Sequence, residues 1–310
     1  MVARLQAALA LFLATATLVL GWQWFCSAAA ADWRWWCLPL LLLPHAPVLA
    51  LEFLLLVWIG RHPKVPPPTV RQLARAWWGE VWCGLVVFGW RQPFRARLWP
   101  DVPGTRGRRG VILLHGIFCN RGLWNPWLRA LTLQRTPCIA PTLEPVFGGI
   151  DTYAGAIDAA VRQMYRQTGL TPVLVGHSMG GLAARAWLAA QVLRPGMLAP
   201  VHAVVTVGTP HQGTWLARFA LSVNARQMRM GSRWLSELAA RETLQDRHRR
   251  TSGLSAPRFI CYYGHADNIV FPANQACLAG AESRHLHAVA HVQMLFQPEV
   301  WHTVNALLRE

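Results

Sequence analysis

The sequence predicts an α/β chain, a mostly parallel, doubly wound sheet with a helical cap insertion, preceded by a helical membrane hairpin. Three observations lead there. From about Gly104 onward, short β-branched runs alternate with amphipathic helical stretches. The stretch PVLVGHSMGGLAARAW, residues 172–187, joins an apolar strand to a strong helix former through one serine set among glycines. Residues 1–60 concentrate an apolar share that reaches 53% over the 310 residues, high for a soluble protein.

In chain order, the first element is an apolar run of spanning length at residues 5–25, preceded by Arg4. Ser27 and the alanines 28–31 also suit a cleavage site, so a signal peptide stands beside an uncleaved helix. A second run, residues 35–59, completes a hairpin over residues 1–65. Pro39, Pro44, His45, Pro47 and Glu52 interrupt it, which predicts a kink or a shielded face. Trp22, Trp24, Trp33, Trp35 and Trp36 bracket the connection as an interfacial belt would.

Arg61, Lys64, Arg71 and Arg75 follow the second run, whereas the connection carries only Arg34 beside Asp32. The positive-inside rule then puts both ends in the cytoplasm. Residues 66–105 read as a stiff Pro66-Pro67-Pro68 linker and an interfacial amphipathic segment at 77–90, too short to span and containing Glu80. As a true crossing, that segment would place the rest of the chain in the periplasm.

Residues 106–310 carry the alternation. Strands are expected at 111–114, 138–140, 173–175, 203–207, 258–263 and 286–290, and helices at 123–134, 152–167, 179–193 and 298–308. Tyr153, Ile157, Ala160, Val161 and Met164 form the stripe of a helix packed on a sheet. Residues 214–255 leave the alternation. There Trp215, Leu216, Phe219, Ala220 and Val223 mix with Arg218, Arg226, Arg229 and Arg233, which reads as a cap insertion or a surface helical pair.

The formal net charge of +16 is almost wholly arginine, with Lys64 the single lysine. Such basicity suits nucleic acid or anionic lipid. No nucleic-acid motif accompanies it and membrane segments do, so the membrane is the expected partner and nucleic acid is not. Seven cysteines without CxxC or Cys/His ligand spacing read as small buried hydrophobes, with neither disulfides nor a metal expected.

The serine of the 172–187 stretch is Ser178. A strand turning abruptly into a helix forces its central residue into strained angles, and glycines at 176 and 180 remove the colliding Cβ atoms. A hydroxyl held there needs a histidine to take its proton and a carboxylate to hold that histidine. In a sheet of this kind the partners sit at the carboxyl ends of later strands, acid before histidine. Asp151 and Asp158 precede the serine, and Glu237, Glu242 and Asp246 lie in the insertion. Asp267, past the strand RFICYYG, is the expected acid, against a reading as a turn former.

Among His285, His287 and His291, the last follows the strand and precedes the final helix, so His291 is the expected base. His285 and His287 read as packing or surface residues, and His177 as pointing away from the serine. His211 reads as shaping the pocket, and His115 as fixing its loop. An oxyanion formed by attack at a carbonyl needs donors. Met179 N–H, directly after the serine, is one, and Ile117 N–H in VILLHGIFCNRG is the other, with Phe118 the second choice.

The blocks LLHGIFCNRGLW, VGHSMGG, VGTPHQGT, HADNIV and AHVQML, in this order, resemble an α/β-hydrolase-fold lipase or esterase of the bacterial triacylglycerol lipase type, in particular its membrane-anchored members. The resemblance covers residues 110–310. It implies a Ser178, Asp267, His291 triad with oxyanion amides at Ile117 and Met179, no cofactor, a lipid or other acyl-ester substrate, and residence at a bacterial inner membrane. The membrane hairpin departs from secreted lipases. A thioesterase or acyltransferase with the same triad, and a non-catalytic membrane accessory protein, are the rival expectations.

Overall fold

The computed structural model describes residues 2–27, 43–60, 65–191, 201–251 and 256–310. The alanines 28–31, the belt residues Trp33, Trp35 and Trp36, Asp32, Arg34 and the flanking charges Arg61 and Lys64 lie outside the described residues.

Six strands form one parallel sheet in the order β2-β1-β3-β4-β5-β6: β1 Val111–Leu114, β2 Cys138–Ile139, β3 Val173–His177, β4 Ala203–Val207, β5 Arg258–Gly264 and β6 Glu282–Leu286. Parallel strands covered on both faces need apolar residues at every position, and β1, β3 and β4 are buried throughout. Alternate residues then sort into two layers. Val111, Leu113, Val173, Val175 and Val205 meet Leu128 and Leu131 of helix Asn125–Leu133, and Val300 and Val304 of helix Pro298–Arg309. Ile112, Leu114, Leu174 and Val204 meet Ile157 and Val161 of helix Ala154–Thr168 and Trp187 of helix Met179–Ala190. Helices on both faces make the sheet doubly wound.

The last strand differs from expectation. It is Glu282–Leu286, not residues 286–290. An edge strand is half solvated, so polar ESRHL serves it, while HAVA, which with Leu286 mimics a strand, forms the following loop. Ala288, at φ 54°, breaks the extended path there.

Among the described residues, the N-terminal third holds three helices of more than ten residues. Val2–Ser27 is long and apolar enough to cross a membrane, a property that a signal sequence shares. Its N-terminal end touches the loop after β1, where Gln6 Nε2 donates to Phe118 O at 2.9 Å. Ala46–Ile59 is described as only 14 residues, about 21 Å at 1.5 Å per residue, shorter than a bilayer core of about 30 Å. It docks on the sheet domain by one face, burying Phe53 and Leu56 against Ala266, Phe271 and Ala290.

Helix Val70–Val86 opens with a capping box at Thr69 and Gln72, and runs through a wide turn at Val87–Arg91 into Gln92–Phe94. It is two-faced: Ala76, Glu80 and Val81 are buried, whereas Trp78, Trp82 and Trp90 are exposed. The boundary drawn at residues 105 and 106 is therefore crossed by contacts, among them Glu80 with Val292, Glu52 with Asn268 and Gln92 with Asn120.

Between β4 and β5 lie a tight turn Trp215–Phe219, a short helix Val223–Gln227 and a long helix Arg233–Thr251. Arg185, on the helix behind Ser178, grips Glu242 of the long helix with two hydrogen bonds of 2.8 and 2.7 Å, and fixes the insertion onto the domain. The Arg229 guanidinium donates to the carbonyls of Ala217 and Ala220, and Arg233 pairs with Glu237.

Candidate active site

Ser178 stands where β3 enters helix Met179–Ala190, at φ 53° and ψ −125°, a conformation that L-residues rarely adopt. The glycines show why it can. A Cβ on Gly176 would lie 2.5 Å from Gly181 N, and one on Gly180 would lie 2.3 Å from Leu114 O. Backbone would meet backbone, and neither side could move aside. The strained residue is pinned twice more: its N–H donates to Val207 O at 2.9 Å, and Thr209 Oγ1 donates to its carbonyl at 2.9 Å. Among the described residues the Ser178 hydroxyl makes no hydrogen bond, which leaves it free to turn about one side-chain torsion.

Asp267 follows β5 and is 1% exposed. Its carboxylate closes a turn and faces a histidine. One oxygen accepts from Ile269 N and Val270 N at 2.9 and 2.8 Å, closing the turn, and the carboxylate lies 3.0 and 3.1 Å from His291 Nδ1. His291 lies in the loop between β6 and the final helix. Burial alone would lower its pKa, but the Asp267 carboxylate facing Nδ1, joined by Glu80 and Glu52, outweighs it and the imidazole is raised above its ordinary value. His291 also neighbours the elbow, because its ring lies 4.7 Å from that of His177, the residue before Ser178.

Two carboxylates from outside the sheet domain support this histidine. Glu80 accepts from Val292 N at 2.9 Å and from Gln293 N at 3.2 Å, directly after His291. Burial raises its pKa to about 7 even against those two amides and the nearby His291. Glu52 accepts from Asn268 Nδ2 at 2.6 Å, and Asn268 Oδ1 in turn accepts from His291 N at 3.2 Å. The sequence offered one signal for both, a carboxylate inside an apolar helix, which read instead as a kink and as a mark against spanning.

Met179 N–H opens its helix and has no acceptor one turn back. Ile117 N–H belongs to the loop after β1, where a Cβ on Gly116 would reach within 3.0 Å of Ser178 Cβ. Among the described residues neither amide donates a hydrogen bond. Phe118, at φ 56°, is half exposed. His115 holds this loop, with Nδ1 against Gly116 O at 2.9 Å and Nε2 accepting from Leu143 N at 2.9 Å. Burial drives its pKa down to about 4, so it is a neutral strut.

The remaining candidates have structural partners. Burial, with His291 beside it, drives His177 down to about 3, and its Nε2 lies 3.2 Å from His291 O. His211 contacts Thr206 and Arg185, and burial with the arginine's charge keeps it well below its usual range. Asp158 accepts from Arg162 and Trp187, and Asp151 from Arg241 and Trp234.

Exposed apolar side chains lie near the elbow. Phe118 and Phe147 meet edge to face at 5.4 Å and are both exposed. Asn224 of the insertion donates to Val146 O at 2.7 Å and approaches Met179 Sδ, and its chain neighbours Leu221 and Val223 are exposed. The arrangement joins a strained hydroxyl, a carboxylate-held imidazole and two free amides at the carboxyl edge of a parallel sheet.

No curated protein sequence matches the chain. Among solved structures, mature Bacillus licheniformis lipase BlEst2 superposes with a TM-score of 0.54 at 16% identity, over 67% of this chain and 95% of that one. Aspergillus fumigatus lipase B superposes with a TM-score of 0.51 at 18% identity, over 69% of this chain and 57% of that one. Both likenesses are of fold. The model of the alpha/beta hydrolase family matches residues 111–306, the whole sheet domain just described, and the chain belongs to that family.

Proposed function

We propose that the chain is a serine hydrolase of carboxylic esters, held at a membrane and acting on lipid. The observation that carries this is the buried Asp267–His291 pair set beside a strained elbow serine. Ser178 Oγ attacks the ester carbonyl while His291 Nε2 takes its proton, and Asp267 holds Nδ1–H and steadies the imidazolium. The amides of Ile117 and Met179 receive the oxyanion. Collapse expels the alcohol, which takes the proton from His291. Water, deprotonated by the same imidazole, then releases the acid and restores the serine.

The lipid reading rests on placement. Phe118, Phe147, Leu221 and Val223 expose apolar surface on the segments next to the elbow, and the long apolar helix Val2–Ser27 begins against Phe118. The residence proposed is a bacterial inner membrane, with the sheet domain on the cytoplasmic side.

The test uses the full-length protein in detergent and in vesicles of phosphatidylcholine with phosphatidylglycerol. Hydrolysis of short soluble esters and of vesicle lipid is expected, lost in both assays on Ser178→Ala. Hydrolysis of soluble esters with none of lipid would confine the reading to a soluble substrate. Acyl transfer to an added alcohol in preference to water would favour an acyltransferase, and full turnover by Ser178→Ala would end the serine mechanism.

A further inference from the structure

Three histidines outside the proposed triad converge at the outer edge of the sheet. The register pairs Tyr263 of β5 with His285 of β6. Two residues further along each chain stand His265 and His287, and in extended chain every second side chain points to the same face. The sequence therefore places three imidazoles on one face at the end of an edge strand. The structure brings them together: one ring nitrogen from each lies within 4.8 Å of the others. His265 Nδ1 and His285 Nε2 are 2.9 Å apart, and the His285 and His287 ring centroids are 4.3 Å apart.

Packing alone accounts poorly for this set. His265 is 5% exposed, yet its Nε2 has no partner among the described residues, and its Nδ1 meets only another imidazole. His265 Nδ1 and His285 Nε2 thus meet only each other, two imidazole nitrogens side by side whose lone pairs an ion can engage. Burial and the neighbouring imidazoles push His265 below its usual range and His285 down to about 4. Both rings are then neutral near pH 7, the form in which imidazole donates a lone pair to a metal.

We propose that His265, His285 and His287 bind one divalent transition ion of the zinc class. Three neutral nitrogens suit zinc, cobalt, nickel or copper and not magnesium or calcium, which take oxygen donors. With metal–nitrogen bonds of about 2.0–2.1 Å, tetrahedral ligands stand about 3.3 Å apart. His265 and His285 are already near that separation, and the exposed His287 ring closes the third side by rotating. The fourth position faces solvent and takes water. On binding, the proton now shared between His265 Nδ1 and His285 Nε2 moves to the far nitrogen of its ring, so that both lone pairs face the ion.

The ion's role is mechanical. It ties the turn that leads from β5 to Asp267 to the loop that leads from β6 to His291, and so clamps two arms of the site without joining the reaction.

The experiment uses untagged full-length protein in detergent, stripped with a chelator and titrated with zinc by calorimetry and with cobalt by visible absorption. One ion per chain is expected, with a Kd of micromolar or tighter, the spectrum of four-coordinate cobalt and a raised Tm. His287→Ala, at an exposed position, should weaken binding at least tenfold while leaving the metal-free Tm and circular dichroism unchanged. His265→Ala and His285→Ala should abolish it, and His291→Ala should keep it. Absence of saturable binding by the wild type, unchanged affinity in His287→Ala, or loss of the ion in His291→Ala would each overturn the proposal.

Discussion

Glu80 accepts a hydrogen bond from Val292 N at 2.9 Å, and so a residue of the N-terminal helices holds the backbone immediately after His291. That contact spans 212 positions of sequence, and its Glu80 end lies outside the region matched by the family model. Its consequence is kinetic. The Glu80 charge helps to raise His291, so the acidic limb of kcat/KM should lie above the ordinary histidine value and move to lower pH in Glu80→Gln. A pH profile of ester hydrolysis checks it, and a limb that stays in place shows that Glu80 serves packing alone.

The same residue predicts a stability slope. Its folded pKa is raised from 4.5 to about 7, so the folded state binds the proton more tightly than the unfolded chain. The stability it contributes is present below pH 4.5 and is lost as pH rises through about 7. Glu80→Gln cannot ionise. Its Tm relative to the wild type should therefore climb from pH 5 to pH 8, and a difference that is flat across that range would contradict the burial of a titrating carboxyl.

Gly180→Ala places a Cβ 2.3 Å from Leu114 O. Because backbone meets backbone, relief requires moving β1 away from the elbow. The cost should be about 3 kcal/mol or more, the upper part of the range for overpacking, with loss of Ser178 reactivity. Urea unfolding and active-site labelling measure the two effects.

The pair Arg185–Glu242 fastens the insertion to the helix behind the serine. Removing the carboxylate in Glu242→Ala leaves a guanidinium that is 4% exposed without its partner, at a cost of about 3 kcal/mol. That is the low end for a buried pair, because the Glu242 side chain is itself 26% exposed. Replacing both residues with leucine should recover part of the loss in urea unfolding. No recovery would mean that Arg185 matters through its contacts with His211 instead.

Much of the sheet domain was legible because its signals are local. Fully buried strands such as Val111–Leu114 and Ala203–Val207 announce themselves as β-branched runs, and the stripe from Tyr153 to Met164 has helical spacing. The elbow was legible because glycine on both sides of Ser178 has a steric reason that needs no tertiary information. Asp267 and His291 followed from strand-end order. The edge strand Glu282–Leu286 was not legible, since a half-solvated strand lacks the apolar pattern and the loop after it imitates one. Glu52 and Glu80 are visible as carboxyls in apolar helices, but their partners are not, because Asn268 and Val292 are more than 200 positions away. The histidine cluster needed the β5–β6 register, which no local window contains.

The central claim is that Ser178 is a nucleophile activated by His291. Fluorophosphonate treatment of the full-length protein, followed by peptide mass mapping, tests it most directly. The account predicts one adduct per chain, on Ser178, with hydrolysis lost in step. It further predicts that labelling is absent in Ser178→Ala and slowed by several orders of magnitude in His291→Ala. An adduct on another residue, or ester hydrolysis that persists after Ser178 is fully labelled, would contradict it.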